Sequence, residues 1–411
     1  VGTKGYIMHG THGASPELVP ADPNFVAPAK TLERPDSIYV DFINAIKEGR
    51  KAKNDFEISS KLTEIMLLTN IAVVSSCGGP QTAPAAAPSD GKPNSNFAGV
   101  KLGTITYSWR SMPMNLDNLI KYCRESNISY LELMGSDLEA CLGAPENPTM
   151  RIMQAAMAAQ AQQQRPAGGA PGGGAPGGGG FRRPSFTPEQ PAEIDKYNQD
   201  MANFRNNMDY GKVEDVRKRL ESEGIYCPIV KTEPSRQTTE EGMDYAFKMA
   251  KAMGAIGVSD EMSMDAAQKV APFAEKHDMY YVLHNHMQYA TDEWSAGPDP
   301  VLAVSPKIML NFDSGHYFGS TGKHPVDFIK KYKDRIIHLH VKDKTGPNAE
   351  EPNANQVWGQ GQTPLEDLFT YLRDEKVDIY PMIELEYNVK AWSDAVKEVA
   401  TCVKYARQIL M

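Results

Sequence analysis

Between residues 98 and 411, short apolar runs with strand character alternate with longer segments of helical period. The strand-like runs are KLGTITYS (101–108), ISYLELMG (128–135), IYCPIVK (225–231), AIGVSDE (255–261), YYVLHNH (280–286), IMLNFDSGH (308–316), IIHLHVKD (336–343) and PMIELEY (381–387). Helical repeats fill 116–126, 213–223, 240–254, 325–333 and 365–375. Strands that alternate with helices argue for βα units and a parallel sheet. Eight of them predict an α/β fold of the (β/α)8 barrel type, in one domain spanning 98–411.

Two stretches break that rhythm. Residues 155–184 are dominated by Gly, Ala, Pro and Gln, and cannot bury enough apolar surface to fold alone. They predict a disordered loop leaving the barrel after its second strand. Residues 1–75 predict a short appendage with turn-rich stretches, one helix over Asp41–Lys47 and a second near Ser59–Ala72. Residues 76–97 join the two as a tether rich in Pro, Ala, Ser, Gly and Asn.

The chain has 411 residues, 41% of them hydrophobic, and a net charge of −9. A charge of that sign argues against nucleic acid as the partner, because phosphate binding needs a basic face. The five cysteines, Cys77, Cys123, Cys141, Cys227 and Cys402, lack CxxC spacing and suggest neither a zinc ribbon nor a disulfide framework. No stretch has the length of a transmembrane helix. The apolar run before Cys77 reads as a lipid-attachment signal, and equally as an amphipathic helix over 61–74. Processing at Cys77 would give a lipid anchor and a bacterial periplasmic or membrane-anchored protein. Without it the expected compartment is the cytoplasm.

The ends of the last four strands carry the chemistry. Side chains alternate along a strand, so His284 and His286 share a face, as do His338 with His340 and Glu384 with Glu386. Asp313, His340 and Glu384 supply oxygen and nitrogen ligands from three neighbouring strands, a set suited to a divalent cation such as Mn, Co, Mg or Zn. The fourth ligand is expected from His284, with His286 and Glu261 as the other candidates. Each histidine alone would more often be a hydrogen-bonded core residue; their convergence at strand ends makes the metal reading.

The segments DSGH (313–316), HLHVKD (338–343), WGQGQTP (358–364) and IELEY (383–387), with LELMG (131–135), resemble the sugar phosphate isomerase/epimerase family of xylose-isomerase-like TIM barrels. The resemblance covers nearly all of 98–411. It implies a Glu, Asp, His, Glu metal quartet, whose last three places fall on Asp313, His340 and Glu384. At the first place this chain has His284, in HNH, where many epimerases carry glutamate. That form looks more like the inosose dehydratase and keto-sugar branches. Residues 1–75, most clearly PAKTLERPDSIYVDFINAIKEGRKAKNDFEISSKLTEIMLLTNIA (28–72), resemble the C-terminal end of sugar oxidoreductases of the glucose–fructose oxidoreductase/inositol dehydrogenase family. That family's glycine-rich dinucleotide loop is absent here, so no NAD is expected.

The combined expectation is a divalent-metal-dependent sugar isomerase, lyase or hydratase acting on a small carbohydrate, a keto-sugar by the family's logic, through α-proton abstraction and a metal-stabilised enediolate. Glu261, His286, Lys231, Glu386 and His316 are the expected catalytic groups. Glu132, Trp109, Trp358 and His338 are expected to face substrate, Glu132 alternatively orienting a ligand or Lys231, and the tryptophans as stacking walls or else as core aromatics. Lys231 reads alternatively as an ion-pair partner of Glu233 or Glu261. An alternative activity is a ketose or sugar-phosphate epimerase. A reading from another class is a sugar-binding barrel without catalysis, and a homo-oligomer is compatible with either. A DNA-repair endonuclease on the same barrel would need a trinuclear cluster and a basic groove that the sequence does not supply.

Overall fold

The computed structural model describes residues 6–8, 17–19, 38–50, 91–149, 151–152 and 189–411. They fall into two units, divided between Ala85 and Ala86. In the first, Tyr6–Met8 and Glu17–Val19 pair as an antiparallel hairpin. A helix spans Ile38–Glu48, one turn longer than the sequence suggests, with Asp41 and Arg50 ion-paired at 2.9 Å. The expected helix near 59–72, Cys77 and the low-complexity run 155–184 lie outside the described residues.

The second unit is a closed barrel of eight parallel strands. They are β1 (Gly103–Ile105), β2 (Tyr130–Met134), β3 (Tyr226–Lys231), β4 (Gly257–Glu261), β5 (Tyr280–His284), β6 (Ile308–Asp313), β7 (Ile336–Val341) and β8 (Tyr380–Ile383). Each pairs with its neighbours in sequence, and β8 closes on β1. All eight expected strands are present. Residues 94–97, read above as the end of the tether, instead belong to the barrel unit. Ser95 and Phe97 are buried, and Asn96–Phe97 pairs with Val100–Lys101.

The helices Leu116–Ser126, Tyr210–Ser222, Glu240–Ala252, Pro325–Tyr332 and Leu365–Asp374 match the expected segments to within a few residues. Glu189–Asn206, Met264–His277 and Ala395–Leu410 are further helices that the periodicity did not predict. Their ends are set by local chemistry. Asn115, Thr239, Ser263 and Asp394 accept hydrogen bonds from the backbone N–H groups of the first turn. The outward faces of the strands pack on these helices through residues such as Leu131, Val258, Tyr281, Phe312 and Leu339. Inside the barrel, Ile229, Val282, Met309 and Ile337 form a separate apolar layer towards the strands' N-terminal ends. The register between β6 and β7 skips Ile337, passing from Leu310↔Ile336 to Asn311↔His338. That irregularity re-aims the strand, so that His338 and His340 follow Ile337 into the interior. Above the apolar layer the barrel lumen becomes polar, and there the candidate chemistry collects.

Candidate metal centre

Several strands end shorter than their apolar runs suggest, three of them at this rim. β5 stops at His284, β6 at Asp313 and β8 at Ile383. Asp313 ends β6 because its side chain caps the next helix, Ser314–Thr321, where Oδ1 accepts the His316 N–H at 2.7 Å. That leaves Oδ2 pointing elsewhere. Asn285 fixes the turn from both sides: its Oδ1 accepts the Asp313 N–H at 2.9 Å and its Nδ2 donates to the Asp313 carbonyl at 3.2 Å. Gly315 lets β7 approach, since a Cβ there would lie 2.7 Å from the Cβ of Lys342.

The register places Glu261 level with His284, and Asp313 level with His340. His284, Asp313, His340 and Glu384 each present one ligand atom, and these atoms all lie within 4.8 Å of one another. His284 Nε2 is 3.3 Å from Asp313 Oδ2, and His340 Nδ1 is 2.7 Å from Glu384 Oε2. The four side chains are buried.

Each histidine has a carboxylate behind it. Glu132, fully buried on β2, meets His340 Nε2 at 2.7 Å through Oε2, with Asn311 Nδ2 donating to the same oxygen at 3.0 Å. Glu261 meets His284 Nδ1 at 3.3 Å, and its other oxygen accepts from Lys231 Nζ at 2.6 Å. A carboxylate on one ring nitrogen fixes the tautomer and aims the other nitrogen at a metal.

Lys342, which the sequence reading passed over, is the other cation of the centre. Its Nζ lies 2.9 Å from Asp313 Oδ2, 2.9 Å from Glu384 Oε2 and 2.8 Å from Glu386 Oε2. Its signal was its parity: it continues the inward-facing series His338, His340. Towards the mouth, His316 Nε2 is 3.4 Å from Glu386 Oε2, and the His286 ring stands 4.9 Å from that of His316. His286 Nε2 is 3.7 Å from Glu261 Oε2, so Glu261, His284 and His286 make a second, smaller ligand group on the opposite nitrogen of His284.

Five carboxylates, Glu132, Glu261, Asp313, Glu384 and Glu386, thus converge where Lys231 and Lys342 supply ammonium groups. The centre draws positive charge. Burial opposes a proton on His340, but Glu384 and Glu132 outweigh it and hold the imidazole up at about 10. Burial likewise opposes charge on Asp313 and Glu384, yet Lys342 and the histidines keep both well below the usual carboxylate range. Glu386 is held down at about 2, burial being overcome by His316 and Lys342. His286 moves the other way, to about 4, because of burial and the neighbouring His284.

The residues fit a divalent cation. His340 Nδ1 and Glu384 Oε2 are buried, adjacent and without an aligned hydrogen-bond partner. Two histidine nitrogens and two carboxylate oxygens are the donors that Mn, Co or Zn accept.

Four of the residues expected to face substrate do not reach the mouth. Glu132 sits behind His340 as described. His338 is fully buried against the same Glu132, its Nδ1 3.3 Å away and its ring 5.6 Å from that of Tyr380. Trp109 is fully buried against Tyr122, and Trp358 packs between Phe369 and Tyr405, so both are core aromatics. The two indoles belong to segments whose neighbours are core helices, and burial of their apolar area outweighs any gain from a solvent-facing position.

Residues 192–405 match the family described as the xylose isomerase-like TIM barrel. Among curated relatives, the inosose dehydratase of Histophilus somni is 25% identical over 136 residues, covering 32% of this chain and 45% of that protein. The inosose dehydratase of Clostridium perfringens is 28% identical over 153 residues, covering 31% of this chain and 50% of that protein. The chain spans about half the length of the curated relatives it matches. Among solved structures, the probable 3-DHS dehydratase AsbF involved in petrobactin synthesis from Bacillus anthracis shares 14% identity at a TM-score of 0.47. That likeness covers 74% of this chain and 98% of that one.

Proposed function

This chain belongs to the xylose isomerase-like TIM barrel family, and from that premise we propose that it is a metal-assisted lyase or hydratase of a keto-sugar, working by α-proton abstraction. The observation that carries the proposal is the convergence of His284, Asp313, His340 and Glu384 at the barrel mouth, with histidines and carboxylates left over to move protons. A divalent cation held by those four residues would supply Lewis-acid stabilisation of developing negative charge. The chain's own groups do the rest. His286, with about half its side chain exposed, is the group best reached by substrate and accepts the α-proton at Nε2. His316, beside Glu386 and with its ring 4.9 Å from that of His286, is placed to pass that proton on to the departing β-oxygen. Lys342 neutralises the carboxylates around the reacting carbon, and Lys231 holds Glu261 against His284. The relatives named inosose dehydratase support elimination over simple epimerisation. So does histidine at position 284, where the family resemblance leads one to expect glutamate.

The test is metal analysis of the purified protein with a keto-sugar activity screen, against Asp313→Ala. The expected result is about one equivalent of transition metal and turnover in the wild type, both lost in the variant. Equal metal content and turnover in the two proteins sinks the assignment.

A further inference from the structure

A cavity of about 190 Å³ opens between the ends of β2 and β3 and the helices Glu189–Asn206 and Glu240–Ala252. Lys231 belongs to this cavity and to the metal centre. It lines the cavity, and its Nζ ends 2.6 Å from Glu261, whose other oxygen is 3.3 Å from His284. The volume is below the roughly 300–1,000 Å³ of sites that take a whole drug-sized ligand, so it suits one ring of a larger molecule.

The wall chemistry narrows that ring. Every cation in it is already neutralised: Lys231 by Glu261 at 2.6 Å, Arg205 by Glu139 at 2.6 Å and Arg236 by Glu233 at 3.2 Å. A phosphate or carboxylate would have to break one of those pairs. A neutral polyhydroxylated ring would not, since paired guanidinium and carboxylate groups retain free donors and acceptors for hydroxyls. Thr232, in the wall, has a buried hydroxyl with no hydrogen-bond partner. Glu233 is held at φ 47°, a left-handed backbone that costs a non-glycine residue about 1–3 kcal/mol and that clusters at ligand sites. Tyr245 and Met249 give the cavity an apolar side for the face of a ring.

We propose that this cavity is a subsite for a second sugar ring, so that the substrate is a glycoside of at least two rings, one held at the metal centre and one here. The identity of the reacting ring rests on the function proposed above; the existence of the subsite does not. Ser136, exposed at the cavity's edge, offers a variant that fills the space without touching the core, Ser136→Trp. Arg236→Ala, at a largely exposed position, removes a wall group.

Maltose, cellobiose, sucrose and trehalose are titrated calorimetrically against glucose, with wild type, both variants and Asp313→Ala. At least one disaccharide is expected to bind tenfold or more tighter than glucose. That advantage is lost in Ser136→Trp and weakened in Arg236→Ala, and in Asp313→Ala, where the first ring loses its site, disaccharide and glucose are expected to bind alike, both weakly, through the cavity alone. In parallel, the ratio of kcat/KM for the two-ring over the one-ring keto-sugar falls at least tenfold in Ser136→Trp. Persistence of disaccharide binding with no turnover on any keto-sugar would retain the subsite and reject the catalytic reading. Disaccharides that bind no better than glucose, or that bind Ser136→Trp as well as wild type, would overturn the subsite.

Discussion

Glu132 and His340 lie 208 residues apart in sequence and 2.7 Å apart in the barrel, with Glu132 Oε2 on Nε2 and the opposite ring nitrogen left for a metal. The carboxylate is fully buried and also serves Asn311 and His338. Replacing it by alanine removes the group that orients His340 and leaves buried donors unmet. Loss of such an outer carboxylate typically weakens metal binding by about 10–100-fold, and each orphaned buried polar group costs about 1–3 kcal/mol. Glu132→Ala is expected to show both effects. Glu132→Gln keeps an acceptor for the imidazole N–H and is expected to recover most of the stability but not the metal affinity. Chelator competition and thermal unfolding read the two quantities separately. An unchanged metal affinity in Glu132→Ala would show that His340 needs no partner.

The pH behaviour of metal uptake follows from the same imidazole. Burial works against its proton, but Glu384 and Glu132 raise it to about 10, above the ordinary ~6.5 of an unfolded histidine. In the metal-free protein this contribution to stability is fully present below about pH 6.5 and is lost as pH rises through about 10. A metal must displace that proton. Apparent metal affinity is therefore expected to climb with pH over this window, with close to one proton released per ion bound near pH 8. Calorimetry in two buffers of different ionisation enthalpy counts the protons. Uptake without proton release would mean that Nδ1 of His340 is not a ligand.

The strand endings were legible because a period of two and a run of apolar residues are local signals. Asp313, His340 and Glu384 could be placed on one rim from the strand endings, with His284, His286 and Glu261 left open as the fourth ligand. Partnership was not legible. Nothing local distinguishes Glu132 from any other inward glutamate, because its role is set by a strand three positions away around the barrel. Lys342 was missed for a different reason. A lysine after a strand ordinarily reads as solvated, and only the meeting of Asp313, Glu384 and Glu386 makes burying it tolerable. The helix Met264–His277 was hidden by Pro272 within it and by an alanine-rich buried face. Trp109 and Trp358 were ambiguous because an indole serves a sugar face and a core equally well.

Asp343, next to Lys342, has a separate task. Its carboxylate accepts the N–H groups of Gly359 and Gly361 at 2.8 Å each and of Thr363 at 3.2 Å. Gly361 is required there, since a Cβ would stand 2.2 Å from Asp343 Oδ1. This cradle holds the WGQGQT loop and keeps Trp358 on Phe369 and Tyr405. Asp343→Ala is expected to lose about 2–4 kcal/mol, as three backbone donors lose a charged acceptor, and to speed hydrogen exchange over 357–363. Metal content should stay at the wild-type level. Metal loss in step with stability would tie this loop to the centre itself.

Lys342 reaches Oδ2 of Asp313 and Oε2 of Glu384, oxygens that a cation held by this ligand group would also need. Its ammonium therefore holds the carboxylates together when no ion is present and competes with an ion that arrives. Lys342→Met keeps the volume of the stem and removes the charge. Breaking a buried ion pair from one side typically costs about 3–5 kcal/mol, and here Asp313, Glu384 and Glu386 all lose their partner. The variant is expected to melt well below wild type in chelator. With manganese or cobalt added it should recover a larger part of that loss than wild type gains, because the ion then replaces the missing charge. Its affinity for the ion should rise while its turnover falls. Differential scanning calorimetry with and without metal decides. An equal metal-induced shift in both proteins would place the ion outside the reach of Lys342, away from Asp313 Oδ2 and Glu384 Oε2.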